Sequence, residues 1–316
     1  MFVTKLDHAP GDPRHWRAAE MEASAWRMPF PAPWHDEFVR LVEEFHEHPL
    51  PTLMRRVESH LLPVSRALMR EVHLQLDHGV GQVVLSRLPM ELCDENDAIA
   101  VSWLLGQMLA RPVATKFDGT MLFEVADVGG ARGTETNLEL SFHTDNAFGS
   151  VPPDYVSLLC MRPALEGGLS RFASLYSVHD ELASRNLALL GRLYQPMHFH
   201  RLGAHLESAP RTLAAPMFGR EGGQLRSRVA PGLVRRGYAL LQQPMDAALE
   251  QALALVEEVL SRQELWIEFR LERGDLQIFN NQWGIHARTA FTDDPALPRR
   301  LVRTWYRDRG RLSYNG

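Results

Sequence analysis

Apolar residues at Phe38, Leu41, Val42 and Phe45 recur every three to four positions through HDEFVRLVEEFHE, which predicts an amphipathic helix over 35–47. A second helical stretch is expected from about 52 to 77, bent near Pro63, because an interior proline removes a helix hydrogen bond. GQVVLSRLP at 81–89 reads as a short strand ending at a proline, and DENDAIAVSWLLGQML at 94–109 opens on cap-forming residues and continues as an apolar helix. The first third is therefore mostly helical. Ahead of it, residues 1–34 carry alternating Pro29, Pro31 and Pro33 with Trp16, Trp26 and Trp34, the pattern of an extended arm anchored on a body. That arm fits either a cap on its own subunit or an embrace of a neighbour.

Beyond residue 126 the pattern changes. DVGGARGTETN at 127–137 is a Gly-rich polar loop with the character of a mobile lid. The strand-like segments LSFHTDNAF and DYVSLLCM follow, then a Gly167-Gly168 turn into LSRFASLYS. A helix is expected over 177–194, a strand over 195–202, an irregular loop covering a site over 203–227, and an amphipathic helix over 244–262. ELWIEFRLERGDLQIFNN alternates apolar and polar positions and reads as a hairpin turning at Arg273-Gly274-Asp275; RRLVRTWYRD supplies the last strand at 299–308. Short strands with inserted helices, and no βαβ alternation, predict a mainly β, α+β fold: an antiparallel jelly roll with a helical N-terminal region. We expect one domain over 1–316, with 1–75 as an arm and helices packed on a jelly-roll core at about 80–310.

Composition narrows the function classes. The 316 residues are 45% hydrophobic and 23% charged, with a net charge of −5, so a sizeable core is affordable and no basic stripe marks a nucleic-acid surface. No apolar run approaches the ~18 residues of a membrane span, and the N-terminus lacks a signal-peptide core. Two cysteines, Cys93 and Cys160, are too few for a disulfide framework and read as free buried thiols. A cytoplasmic protein acting on a small molecule, with no nucleic-acid or membrane partner, is the expectation; no feature of the sequence sets an oligomeric state.

Candidate chemistry concentrates at His143-Thr144-Asp145 and His286. Positions i and i+2 of a strand share a face, so His143 and Asp145 can converge on one ion while Phe142 and Thr144 point away. His286 follows FNNQWGI at another strand end, and a jelly roll brings such ends together at its mouth. Two imidazoles and one carboxylate suit iron(II) and leave the opposite face of the ion open. The alternating His198, His200 and His205 lack a nearby carboxylate and form a weaker metal candidate.

Five separated elements give this a family character. His143-Thr144-Asp145, Gly167-Gly168-Leu169-Ser170, Gly274-Asp275-Leu276 before Asn280-Asn281, His286-Ala287-Arg288-Thr289 and Arg299-Arg300-Leu301-Val302-Arg303-Thr304-Trp305 occur in an order and spacing that resembles the taurine dioxygenase and clavaminate synthase-like family. The resemblance covers roughly residues 75–310. It implies a double-stranded β-helix and an iron(II)- and 2-oxoglutarate-dependent oxygenase, in which O2 drives oxidation of a substrate C–H bond with release of succinate and CO2. It implies that His143, Asp145 and His286 bind iron. The far carboxylate of 2-oxoglutarate would meet Arg299, with Arg300 as the competitor one register away, and Ser170 would stand where the family often has a threonine. Arg303 would lie nearer the iron, against the keto-acid carboxylate or an anionic group of the substrate. The retained Asp145 argues against halogenation, since related halogenases replace this carboxylate with Ala or Gly.

Residues expected to border the substrate are Phe123, Asn137, Glu139, Asn146, Phe148, Gln224, Arg226, Arg228 and Trp283. An arginine there together with Arg303 would suit an anionic or amino-acid-like molecule. Two other readings compete: a catalytically inactive jelly-roll metal or small-molecule binding or sensor protein, and a zinc hydrolase, which would need a general base such as Glu139.

Overall fold

A computed structural model describes residue 6 and residues 11–130, 133–205 and 207–314. Two sheets face one another. The larger runs Arg27–Pro29, Gln82–Ser86, Leu276–Asn280, Tyr155–Arg162, Arg300–Tyr306, Pro112–Val113, with Phe123–Val125 also on the Arg300–Tyr306 strand. Its pairs are antiparallel except the first. The smaller runs Trp266–Phe269, Ser170–Ser174, Gly284–Arg288, Leu140–His143, antiparallel throughout. Phe172 of the smaller sheet meets Phe279 of the larger at 6.1 Å between ring centroids, and both are fully buried. This is the expected jelly-roll arrangement, with aromatic side chains filling the space between sheets.

Helices Pro63–His78 and Glu95–Gln107 cover the larger sheet, and Trp34–Glu47 packs on both of them. Pro63 starts its helix and does not bend one; residues 52–59 form only two short 3-10 turns. Proline suits the first helical position because its missing N–H would be unpaired there anyway. The buried Glu37 carboxylate accepts from the next two free amides, Val64 and Ser65, at 2.9 and 2.7 Å, so one helix caps another. All three tryptophans of the arm are buried on this same chain: Trp16 stacks on Phe172, Trp26 packs at a tilt against Phe269, and Trp34 binds Ser65 through its indole N–H.

Leu175–Arg185, Leu187–Leu193, Pro231–Leu241 and Ala247–Leu260 cover the smaller sheet. Asn186 splits the helix expected over 177–194 by capping the second half with its side chain. Three further departures matter. The helix Pro231–Leu241 lies between the expected loop and the expected helix 244–262, in a stretch for which the sequence pattern predicts no element. The 203–227 segment contains strand Thr212–Ala215, paired with Met197–His200, and the hairpin Phe218–Glu221 with Gln224–Ser227. Finally, Trp266–Phe269 and Leu276–Asn280 are not a hairpin: they join opposite sheets, and the Arg273-Gly274-Asp275 turn carries the chain between them. Asp275 anchors that crossing from full burial, accepting from Glu272 N–H and pairing with Arg27 at 3.1 Å.

Candidate active site

The Leu140–His143 strand ends at His143, and Asp145 sits on the turn that follows. That turn is held at three points. Asn281 accepts from Asp145 N–H at 2.7 Å and donates to the carbonyls of Asp145 and Pro153. Thr144 faces away, as expected, and exchanges hydrogen bonds with the Val229 backbone. His286 lies directly opposite His143 in the sheet register.

These constraints bring the three side chains together. Asp145 Oδ1 lies 3.5 Å from His143 Nε2 and 3.6 Å from His286 Nε2. Two metal bonds of about 2.1 Å meeting at an angle span such separations. His143 Nδ1 donates to the Ser141 carbonyl at 2.9 Å, which fixes the tautomer and leaves the Nε2 lone pair toward the other ligands. Burial, with His143 beside it, pushes His286 down to about 3, so its imidazole is neutral and able to ligate. Burial alone would raise the Asp145 carboxyl, but Arg303 and the two imidazoles outweigh it and hold it far below the usual carboxylate range. Its second oxygen, Oδ2, accepts from Trp305 Nε1 at 2.6 Å and meets Arg303 Nη1 at 3.1 Å. One carboxylate oxygen is thus tied to the last strand and the other is left facing the histidines. This donor set fits a single divalent iron. It is the one cluster of three or more metal-ligand side chains among the described residues, so His198, His200 and His205 do not form a second.

Behind the triad a pocket is lined by Ser170, Gln277, Arg288, Leu301 and Arg299. The adjacent arginines divide as strand alternation requires. Arg300 points outward to Glu95 and Glu124. Arg299 turns inward, 4% exposed, with its Nη1 lacking a partner and the Phe291 ring 5.0 Å from its guanidinium carbon. Burial, reinforced by neighbouring Arg288, pushes Arg299 down to about 10. Arg288 is itself buried and donates to the carbonyls of Gly133, Thr136 and Leu138 in the Gly-rich segment. Among the described residues neither Arg288 nor Arg299 makes an ion pair, so two buried cations line one pocket without a carboxylate partner of their own. Such a site calls for an anion. Gly168 packs closely on Arg299: its φ is +64° and a Cβ there would lie 3.2 Å from Arg299 Nε.

Several expected substrate residues are elsewhere. Trp283 is fully buried against Tyr176 and Gly81. Arg228 ties down the carbonyls of Ala147, Gly149 and Ser150. Glu139 pairs with Arg171 on the exterior, which removes it as a hydrolytic base. Arg226 pairs with Glu221 beside Gln224 on the outer hairpin, while Asn137 gives its carbonyl to Phe291. Phe123 and Asn146 do border the site: the Phe123 ring faces Arg303 at 4.8 Å, and Asn146 follows Asp145 with Tyr314 on its side chain. Phe148 is half-buried and packs against the apolar residues between the two sheets and those beneath the helices of the smaller sheet. Asn281 and Trp305, which hold Asp145, were not singled out from sequence as site residues; the strand placing Trp305 two positions after Arg303, on the same face, was the available signal.

The family model for the Taurine catabolism dioxygenase TauD, TfdA family matches residues 55–305. The chain belongs to this family. It is accordingly a non-haem iron dioxygenase that uses iron(II), 2-oxoglutarate and O2, with the jelly-roll core of TauD-like enzymes. Among curated relatives, FR-33289 synthase of Streptomyces rubellomurinus is 28% identical over 305 residues, covering 92% of this chain and 88% of that protein. Uridine-5'-phosphate dioxygenase of a Streptomyces species is 29% identical over 169 residues, 52% of this chain and 60% of that one. Two solved structures share the fold: asparagine oxygenase with Fe(II), 2S,3S-3-hydroxyasparagine and succinate (TM-score 0.66, 22% identity, 89% of this chain and 93% of that one), and the non-heme iron oxygenase OrfP (TM-score 0.67, 17% identity, 90% and 94%). No helix among the described residues is long and apolar enough to cross a membrane.

Proposed function

We propose that this TauD-family dioxygenase hydroxylates, or otherwise oxidises at an unactivated C–H bond, a small anionic or amino-acid-like molecule. His143, Asp145 and His286 would hold the iron, and Arg299 with Ser170 would hold the far carboxylate of 2-oxoglutarate. Iron and 2-oxoglutarate, when bound, supply an O2-driven two-electron oxidation that releases succinate and CO2. The chain's own contribution is placement. Trp305 and Arg303 keep Asp145 ionised and turned toward the histidines. Arg299 offers a buried guanidinium at the end of the pocket, where a carboxylate takes two parallel hydrogen bonds. Arg303, stacked between Phe123 and Trp305, presents positive charge where the substrate arrives. The buried Arg299 without a carboxylate partner carries this reading, because a cation so placed is costly unless an anionic co-substrate completes it.

The names of the relatives support a small polar substrate: uridine-5'-phosphate for one, asparagine for another. A purely binding or sensor role loses ground, since the triad, Arg299 and Ser170 stand together around one pocket. Succinate release from iron-loaded enzyme, measured with paired carboxylates, sulfonates, phosphates and their neutral amides or esters, tests the proposal. Stimulation by an anionic member is expected. Equal stimulation by neutral members would contradict the anionic assignment.

A further inference from the structure

One more cation faces this end of the larger sheet. Of 34 basic residues only Lys5 and Lys116 are lysines; every other is arginine. Lys116 lies just beyond strand Pro112–Val113, its Nζ 4.5 Å from the centroid of the Phe123 ring. The guanidinium of Arg303 is 4.8 Å from the same ring, and Arg303 touches the iron ligand Asp145. Two cations therefore share one aromatic side chain next to the metal triad. A ring face attracts both and sheds part of their water. Neither is fully satisfied. Arg303 Nε is buried without a partner. Lys116 has Glu135 at 3.9 Å, well beyond the 2.7–2.9 Å of a charge-assisted hydrogen bond. Its side chain is 35% exposed, so solutes can reach it. A compact ammonium on a flexible stem can exchange one acceptor for another, which a guanidinium fork set in a fixed plane does less readily.

We propose that Lys116 is a substrate-specificity residue: its ammonium leaves Glu135 and, with Arg303, holds the negatively charged group of the substrate beside Phe123. The inference rests on the dioxygenase reading above and adds the residue that recognises the substrate's charge. No bond is made or broken at Lys116; it orients the molecule so that its C–H bond is presented to the iron.

Because Lys5 is the only other lysine, acetylation of Lys116 can be followed site by site by mass spectrometry. Enzyme loaded with iron(II) and 2-oxoglutarate is kept anaerobic and treated with limiting acetylating reagent. The probes are acetate, methanesulfonate and methylphosphonate, with dimethyl methylphosphonate as the neutral control. At least one anion is expected to slow acetylation of Lys116 about fivefold, as occupancy at a few multiples of the dissociation constant gives, with Lys5 unchanged. The anion that protects best reports the shape and charge of the group recognised. Protection should weaken in Arg303→Gln and persist in Glu135→Gln, where Lys116 should also react faster without a probe. Failure of all three anions to protect Lys116, or equal protection of Lys5, overturns the inference. Visible absorption from iron(II) with 2-oxoglutarate, read on the same sample, separates the two levels. Absorption with an unprotected Lys116 removes only this inference; no absorption removes both.

Discussion

Trp305 donates its indole N–H to Asp145 Oδ2 at 2.6 Å, across 160 residues of sequence, and so decides which oxygen of the carboxylate faces His143 and His286. The last strand thus serves two ends of the site at once: Trp305 and Arg303 position the iron ligand, and Arg299 reaches the floor of the co-substrate pocket. Hydrogen-bond partners of metal ligands typically matter about 10–100-fold in metal affinity.

Trp305→Phe keeps an aromatic ring, smaller than the indole, and removes the hydrogen bond. Its iron(II) dissociation constant should rise by about tenfold, the lower end of that range, with the fold intact by circular dichroism. An unchanged iron affinity would show that Arg303 alone orients Asp145.

Arg299→Gln and Arg300→Gln should separate cleanly although the residues are neighbours. Loss of the buried partner of a carboxylate costs about 2–5 kcal/mol, so the KM for 2-oxoglutarate should rise ~100-fold or more in Arg299→Gln. Arg300 pairs on the surface with Glu95 and Glu124, and its loss should change stability by no more than about 1 kcal/mol and leave that KM unaltered. Steady-state kinetics with varied 2-oxoglutarate decides the register.

Asn281→Ala strips the acceptor from Asp145 N–H and the donor from two carbonyls, all buried. Unsatisfied buried groups cost about 1–3 kcal/mol each, so a loss of ~3 kcal/mol is expected by urea denaturation. Wild-type stability in this variant would show that the turn after His143 is held by Thr144 alone.

His179 tests the account away from the metal. It is fully buried, accepts or donates one hydrogen bond with Tyr194, and burial pushes it from 6.5 down to about 4. The folded protein therefore resists a proton that the unfolded chain takes up. Stability contributed by the neutral ring is present above about 6.5 and is lost as pH falls from there toward about 4, by on the order of 3 kcal/mol in all. Denaturation midpoints across that window should show the loss, and His179→Gln should flatten it.

The metal set was legible because H-x-D at a strand end, a distant histidine and an arginine-rich last strand each carry a local signature. Amphipathic helices such as Trp34–Glu47 were equally plain. Pairing was not. Alternation in WIEF and LQIFN records two faces and not which sheet a strand joins, so strands on opposite sheets looked like a hairpin. Trp283 looked like a cavity residue because nothing local announces that Gly81, two hundred residues earlier, leaves a slot for its ring. The choice between Arg299 and Arg300 depended on Glu95 and Glu124, acidic residues of distant elements. Helix Pro231–Leu241 was obscured by Gly232 and Gly237; a Cβ at Gly237 would stand 2.1 Å from the His198 carbonyl, so close packing against a strand requires that glycine.

The central claim is one iron(II) held by His143, Asp145 and His286 beside an Arg299-anchored 2-oxoglutarate. Anaerobic addition of iron(II) and 2-oxoglutarate, followed by visible absorption, tests it most directly. The account predicts a charge-transfer band in the wild-type protein, lost in Asp145→Ala and shifted to far higher 2-oxoglutarate concentrations in Arg299→Ala. No band from folded wild-type protein, or an undiminished band in both variants, would contradict it.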